Sequence, residues 1–159
     1  MSLPPFQTLL DEHATDLHRY LVATAGPHDG DDCFQETVIA ALRAYPDLRS
    51  SENLRGWLFT IAHRKVIDLA RARQRRAEPV GDPPEVVHHD RLPEGSDQTL
   101  WSLVAALPTK QRSAVVQRYL LDRPYAEIAE VIGSSEDAAR QNVRAGLQAL
   151  RRTVVEVTP

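Results

Sequence analysis

The segment of residues 77–98, AEPVGDPPEVVHHDRLPEGSDQ, limits the possible folds more than any other part of the chain. It contains four prolines and two glycines, and its apolar residues follow neither a helical nor a strand period. Proline removes a backbone donor and glycine favours turns, so such a stretch is typical of a linker. The sequence therefore predicts two small helical units, residues 1–76 and 99–159, joined by an acidic, Pro-rich linker over 77–98 in an all-α protein.

The amino-acid composition favours a helical fold and argues against membrane-spanning, secreted and disulfide-bonded proteins. Hydrophobic residues make up 42% of the chain and aromatic residues only 6%, which favours helix over sheet. No stretch approaches the roughly 20 apolar residues of a membrane span, and the N-terminus lacks the pattern of a secretory signal. We therefore expect a cytoplasmic protein without membrane association. The single cysteine, Cys33, excludes an internal disulfide and any multi-cysteine metal site, and we expect it in the core.

Acidic and basic residues are distributed unevenly along the chain. The formal net charge is -3, yet residues 51–76 carry seven basic and two acidic side chains, whereas residues 77–100 carry six acids against Arg91 alone. A partner responds to local charge more than to the sum. The negative total therefore does not exclude a nucleic-acid partner.

The first unit contains two amphipathic helices. Around Phe34 one face is apolar, with Phe34, Val38, Ala41, Leu42 and Tyr45, and the opposite face is polar, with Asp32, Gln35 and Glu36. A second helix is predicted to open at Trp57 and to bury Leu58, Ala62, Val66 and Leu69. Its other side carries Arg64, Asp68, Arg71 and Arg75 as one stripe. That stripe is either a solvated face tied by Arg64–Asp68–Arg71 pairs or a phosphate-binding surface.

The second unit ends in a helix-turn-helix pattern. Tyr125, Ile128, Ala129 and Ile132 form a short apolar face, and Gly133 permits the left-handed turn that follows. Ser134 with Asp137 predicts a capping box at the start of the second helix. Arg140, Gln141 and Arg144 then face outward with Asp137, and arginine and glutamine are suited to reading bases in the major groove. The alternative is an ordinary helical hairpin with a charged outer face.

Over nearly its whole length the chain resembles an extracytoplasmic-function (ECF) sigma factor of the sigma-70 family. The first half has the order expected of region 2: Asp31-Asp32, Gln35-Glu36, Trp57-Leu58, Ile61-Ala62, Ile67-Asp68 and the basic run Arg71 to Arg76. The second half has the order expected of region 4: Leu107-Pro108, Arg112, Glu127-Ile128-Ala129 and Gly133. The agreement in order, as well as in residue type, makes the resemblance specific.

The resemblance implies partners and a role for each polar face. Asp32, Gln35 and Glu36 are expected to dock on core RNA polymerase, and an anti-sigma factor is expected as a further partner. The residues expected to contact the minus-ten promoter element are Arg49, Asn53, Arg64, Lys65, Asp68, Arg71 and Arg75. Those expected to contact the minus-thirty-five element are Ser135, Asp137, Arg140, Gln141 and Arg144. The resemblance implies no catalytic residue, metal or cofactor.

Two departures from the family pattern leave other functions open. Arg64, preceded by His63, stands where the family usually has Asn, and Ala138-Ala139 stands where Thr-Val is common. The alternatives are a stand-alone helix-turn-helix regulator, which usually needs a dimer, and a degenerate sigma-like module that binds a regulator without initiating transcription. His88-His89 lie in the linker beside Asp90, and a metal site there would need at least one more converging ligand, so we expect a solvated polar loop.

Overall fold

The computed structural model describes residues 3–77 and 97–157, which form helices, turns and loops without a strand. Three α-helices and a short 3-10 helix, Tyr45–Asp47, precede the undescribed segment, and four α-helices follow it. The α-helices are α1 (Phe6–Ala25), α2 (Pro27–Ala44), α3 (Leu54–Ala77), α4 (Asp97–Ala105), α5 (Thr109–Tyr119), α6 (Tyr125–Ile132) and α7 (Glu136–Val157). The all-α prediction is confirmed. Most of the predicted linker, including His88-His89, lies outside the described residues.

In the first half of the chain, α2 and α3 pack against α1 and against each other. Gly26, with φ of 97°, separates α1 from α2, and Pro27 opens α2 at the first-turn position where its missing N–H costs nothing. The two helices come very close at Gly30, where a Cβ would lie 2.7 Å from Val22 Cα. Cys33 is buried, as expected, and its position on α2 faces this packed side.

The buried face of α2 is rotated from the predicted one. Cys33, Thr37 and Ala41 point into the core at four-residue spacing, whereas Leu42 is 54% exposed. The prediction that Leu42 is buried was wrong. The buried face of a helix is about 100° wide, and it can be centred on small residues when a neighbouring helix packs closely against them. Small residues carry little hydrophobic signal in a sequence.

The third helix begins at Leu54, before Trp57, where it was predicted to open. Leu58, Ala62 and Val66 are buried as predicted, but Phe59 and His63 are buried with them. Leu69 and Trp57 are partly buried against the same cluster. The additional buried positions widen the apolar face of α3, so that it contacts helices on more than one side.

The helix-turn-helix half has its own packed centre. Ala114, Ile128, Ala129, Ile132, Ala139 and Val143 form one cluster from α5, α6 and α7. Gly146 brings α7 against α5, since a Cβ there would lie 2.6 Å from Val115 Cγ2. This packing fixes the direction in which the outer face of α7 points.

The two halves contact one another. The Tyr20 hydroxyl on α1 lies 2.7 Å from Ser113 Oγ on α5 and 3.3 Å from His63 Nδ1 on α3. Arg112 Nη1 donates to the Thr24 carbonyl at 2.5 Å. All these groups except the Arg112 side chain belong to buried residues, so the contact is a packed interface.

No helix in the two described ranges has both the length and the hydropathy to cross a lipid bilayer.

Candidate polymerase and promoter interfaces

The outer face of α2 is exposed where a polymerase contact was predicted. Asp32, Gln35 and Glu36 are all exposed. The same face continues through Ile39, 49% exposed, and Leu42, 54% exposed. Large exposed apolar side chains beside acidic ones are typical of a protein–protein contact with an apolar centre and a charged rim. Sequence reasoning missed both residues, because it placed Leu42 on the apolar core face and assigned Ile39 to neither face.

The loop before α3 presents Arg49 and Asn53 to solvent. Asn53 adopts a left-handed backbone, φ 52°, which asparagine tolerates better than most residues. Its Oδ1 accepts a hydrogen bond from the Gly56 N–H at 3.0 Å, so Asn53 supports the first turn of α3. Its Nδ2 donates to Glu130 Oε2 on α6 at 2.5 Å. The side chain is therefore already engaged by the other half of the chain.

The basic stripe of α3 is exposed. Arg64, Asp68, Arg71 and Arg75 face solvent, and Lys65 is half-buried. Within residues 3–77 and 97–157, no ion pair joins Asp68 to Arg64 or Arg71, so the tied-face interpretation gains no support. A shallow groove lies beside the stripe, lined by Asp68, Arg71, Gln74 and Arg75.

Arg73, on the same helix, has a different environment. It forms an ion pair with Asp29 on α2 and donates to the Ala25 carbonyl at 3.4 Å. Its guanidinium therefore connects α3 to the α1–α2 junction. The basic run Arg71 to Arg76 contains at least one structural arginine.

Arg55 is a residue that the sequence analysis missed. Its guanidinium stacks over the Phe59 ring at 4.1 Å, and burial lowers its pKa. Arg55 Nη1 lies 4.0 Å from Glu127 Oε2 on α6, and Arg123 Nη1 approaches the same oxygen at 3.5 Å. Arg123 also reaches Asp16 on α1 at 3.9 Å. The Arg55–Phe59 spacing of four residues is a signal that could have identified the stacked pair.

The helix-turn-helix forms as predicted at Ala129 and Gly133. Gly133 is left-handed, with φ 70° and ψ 42°, and its N–H bonds to the Ala129 carbonyl. The Ser134 N–H bonds to the same carbonyl at 2.9 Å. The predicted Ser134–Asp137 capping box was wrong: Ser135 Oγ accepts from the Ala138 N–H at 3.1 Å, and α7 begins at Glu136. The turn at Gly133 consumes one residue more than predicted, which places Ser135 at the cap.

The outer face of α7 carries the remaining predicted residues. Asp137, Arg140, Gln141 and Arg144 are exposed. Arg140 is held by its own helix, with Nη2 2.6 Å from Glu136 Oε1 and Nη1 3.2 Å from Asp137 Oδ1. Its guanidinium also lies 5.2 Å from the Tyr125 ring centroid. The face is thus accessible, with one arginine oriented before any ligand binds.

One group of side chains on α2 could approach a metal ion. His28, Asp29 and Asp32 offer ligand atoms within 4.8 Å of one another, but Asp29 already pairs with Arg73. An ion there would have to compete with a guanidinium. The group was not predicted and indicates no dedicated metal site.

Comparison with known proteins decides the family. The family model "Sigma-70 region 2" matches residues 9–76, and "Sigma-70, region 4" matches residues 97–150. The chain belongs to the sigma-70 family. The two matches occur in the predicted order and leave out most of the predicted linker.

Curated relatives are ECF sigma factors. This sigma factor is 29% identical to the ECF RNA polymerase sigma factor SigL of Mycobacterium tuberculosis over 159 residues, covering 95% of this chain and 89% of SigL. It is 31% identical to SigC of the same species over 139 residues, covering 85% and 75% of the two chains. The resemblance to the ECF class is confirmed.

A solved structure has the same fold. The sigma factor RpoE of Bartonella quintana, determined with the anti-sigma factor NepR, matches with a TM-score of 0.75 at 20% identity over 97% of this chain and 98% of that chain. The agreement extends across both halves. The departures at Ala138 and Ala139 fit this fold, because Ala139 is fully buried in the helix-turn-helix cluster.

Proposed function

We propose that this sigma factor binds core RNA polymerase through α2, opens and reads the minus-ten element with the loop before α3 and with α3 itself, and holds the minus-thirty-five element with α7. The observation that carries the proposal is the succession of both sigma-70 regions in one chain, each with an exposed polar or basic helix face. Neither region alone would supply polymerase binding together with recognition of two promoter elements.

For the polymerase contact we propose the α2 face of Asp32, Gln35, Glu36, Ile39 and Leu42. The exposed Ile39 and Leu42 supply apolar area that can be fully desolvated. The carboxylates beside them favour a basic partner and exclude acidic ones. This division of affinity and selectivity is what a sigma factor needs, because it must select one large partner.

For the minus-ten element we propose Arg49, Asn53, Arg64, Lys65, Asp68, Arg71 and Arg75. The exposed arginines of α3 are spaced to follow a nucleic-acid backbone, while Asn53 offers an amide to a base edge. Unpaired bases are the expected target, since a flipped base is accessible to a loop side chain. The negative charge of Asp68 would weaken binding of the stripe to phosphate groups of any sequence. Sequence-specific binding would thereby be favoured over non-specific binding.

For the minus-thirty-five element we propose Ser135, Asp137, Arg140, Gln141 and Arg144. Arg140 and Gln141 lie in the first two turns of α7, the end that enters the major groove in helix-turn-helix proteins. Arg144, one turn later, is placed for base or phosphate. Ser135 caps α7 through the Ala138 N–H, and the N–H groups of a helix N-terminus are suited to bind a DNA phosphate.

An anti-sigma factor is the proposed regulator. Support comes from the fold shared with RpoE, a sigma factor solved together with an anti-sigma factor. We further propose a non-enzymatic role in the cytoplasm, where polymerase and chromosome reside. The two alternative functions differ in their need for polymerase: a stand-alone regulator would bind DNA without it, and an inactive module would not initiate transcription with it.

The test is reconstituted transcription. Purified protein with core polymerase is expected to initiate at defined sites on genomic DNA, mapped by RNA 5′-end sequencing, with core polymerase alone as the control. Sequence-specific, nanomolar binding to duplex DNA without polymerase would instead identify a stand-alone regulator. Polymerase binding without initiation at any template would identify an inactive module.

A further inference from the structure

The ring of Tyr125, at the start of α6, contacts two guanidinium groups from the helices that flank α6 in the chain. The Arg118 Cζ atom, on α5, lies 4.4 Å from the ring centroid, and the Arg140 Cζ atom, on α7, lies 5.2 Å from it. An aromatic face attracts a guanidinium within about 6 Å of its centroid. One side chain therefore connects α5, α6 and α7.

Tyr125 itself is held in place by its surroundings. The residue is half-buried and packs against the apolar cluster at the centre of the helix-turn-helix. Arg118 is also held, because its Nη1 donates to the Arg123 carbonyl at 3.1 Å. The ring is therefore fixed by apolar packing and by a second arginine, and it offers Arg140 a contact surface with a defined position.

The ring and the neighbouring acids contact different parts of the Arg140 guanidinium. Glu136 and Asp137 accept hydrogen bonds from Nη2 and Nη1, at 2.6 and 3.2 Å, whereas the ring is approached by the central carbon Cζ. A bidentate contact with guanine would use the N–H groups that the acids occupy. A guanidinium can stack on an aromatic ring while its N–H groups bind elsewhere. DNA would therefore displace the acids from Arg140 without displacing the ring.

Tyr125 also lies beside the surface proposed for the minus-thirty-five element. It lines a groove together with Arg140, Arg144 and Arg151 of α7. Within the described ranges, three arginines and no acidic residue line this groove. Such a concentration of positive charge favours a phosphate backbone, so the ring lies where Arg140 would meet DNA.

We propose that Tyr125 is a positioning residue for recognition of the minus-thirty-five element, because its ring holds Arg140 in the orientation in which the guanidinium N–H groups reach one base pair. This inference rests on the proposed reading of that element by Arg140. A mobile arginine on a helix surface loses rotamer entropy when it binds. An arginine that is already held loses less, and it discriminates better because it cannot turn toward another base. Tyr125 thereby sharpens the base preference without contacting a base.

Transcription by the holoenzyme from a library randomised at the minus-thirty-five element tests the positioning role. Tyr125→Leu keeps an apolar side chain against the cluster and removes the ring, whereas Tyr125→Phe keeps the ring and is the matched control. We expect Tyr125→Leu to lower discrimination about twofold to fivefold at the base pair that Arg140→Ala also affects. Tyr125→Phe should retain the base preferences of the parent. A loss of transcription that is equal for all sequences would indicate a merely structural role and would overturn the proposal.

A double variant shows whether the ring acts through Arg140. In the Arg140→Ala background, Tyr125→Leu should change the base preference no further, because the side chain that the ring positions is absent. A further loss of discrimination in the double variant would show that Tyr125 affects recognition by another route, which contradicts the positioning role.

A trifluorinated phenylalanine in place of Tyr125 covers the case in which Tyr125→Leu does not fold. Fluorine withdraws negative charge from the ring face at almost unchanged shape, so the attraction between ring and guanidinium weakens. This chain should show the loss of discrimination relative to Tyr125→Phe. Equal base preferences for the two aromatic side chains would refute the proposed role of the ring.

A measurement on the free full chain separates this inference from the proposed function. Nuclear magnetic resonance relaxation of the Arg140 Nε–H group reports how rigidly the guanidinium is held, with the exposed Arg144 as the internal reference. High salt concentration weakens the exposed ion pairs with Glu136 and Asp137, so that the contact with the ring dominates.

We expect Tyr125→Leu to raise the mobility of Arg140 and to leave that of Arg144 unchanged. Unchanged mobility of Arg140 would overturn the contribution of the ring, whatever the promoter results. A ring-dependent Arg140 whose replacement by alanine leaves the base preferences unchanged would instead overturn the proposed base reading.

Discussion

The two helices proposed to contact DNA, α3 and α7, present their arginines in opposite ways. On α7, Arg140 is oriented by Glu136 and Asp137 of its own helix, and the face around it is open. On α3, Arg64, Arg71 and Arg75 are exposed along the helix, while Asn53 and Arg55 at its start contact Glu130 and Glu127 of α6. The comparison teaches that Arg140 of α7 is held by acids of its own helix, whereas the start of α3 is held by acids of a helix far away in the sequence.

The largest expected effect is on the proposed docking of α2 on core polymerase, which would bring both DNA-contacting helices to the promoter. Replacing Asp32 and Glu36 by lysine should weaken binding to core polymerase by about 100-fold or more, because like charges placed opposite each other at an interface cost several kcal/mol. Affinity is measured by surface plasmon resonance. The control carries Asp11→Lys and Glu12→Lys on α1, with the same change in net charge. Equal affinities for the two variants would show that α2 is not the docking face.

The second effect sharpens the description of α7. Arg140→Ala should cost about 1–3 kcal/mol at the preferred minus-thirty-five sequence and flatten discrimination at one base pair. Transcription from a library randomised at this element measures it, with Arg144→Ala and Arg151→Ala as comparisons. Unchanged base preferences in the Arg140 variant would rule out direct readout by this residue.

A third effect tests whether α3 contacts phosphate without reading sequence. Arg71→Ala with Arg75→Ala should weaken promoter opening by the holoenzyme about equally at all minus-ten sequences. It should lower the slope of log affinity against log salt concentration by about 1.4, or about 0.7 for each lost contact to a single strand. Binding to a fork-junction template across a salt series measures the slope. A loss of affinity that depends on the minus-ten sequence would show that the stripe reads bases. The stripe would then not differ from α7 in this respect.

The smallest effect concerns the interface between the halves. Burial, with Lys110 nearby, lowers the pKa of His63 from 6.5 to about 4, and Tyr20 is its hydrogen-bonding neighbour. Between these values the folded protein binds fewer protons than the unfolded chain, so stability should fall as the pH falls from 6.5. From pH 6.5 to 5.5 the loss should be about 1 kcal/mol.

The check is urea unfolding at both pH values, with His63→Gln as the comparison. The variant should lose distinctly less stability over this range, because glutamine does not titrate. A variant whose pH dependence equals that of the parent would show that His63 does not limit the packed interface.

Much of this protein was determined by the local sequence. Apolar periodicity predicted the helices, Ala129 and Gly133 predicted the helix-turn-helix, and the outward positions of Asp32, Gln35, Glu36, Arg140, Gln141 and Arg144 followed from helical phase. Such features are local, because 3.6-residue periodicity and left-handed glycine act over a few residues. The order of family motifs added the two regions and hence the class of function.

Only the tertiary structure decided which side chains are buried between helices and which residues form contacts between the two halves. That Cys33 and Ala41 face the core while Leu42 is exposed depends on which side of α2 packs against its neighbours. That Arg73 is structural, while Arg71 and Arg75 face solvent, depends on Asp29 from another helix. The Asn53–Glu130 and Tyr20–Ser113 contacts join residues 77 and 93 positions apart. No periodicity encodes such pairs, because they arise only when packed helices bring distant side chains within hydrogen-bonding range.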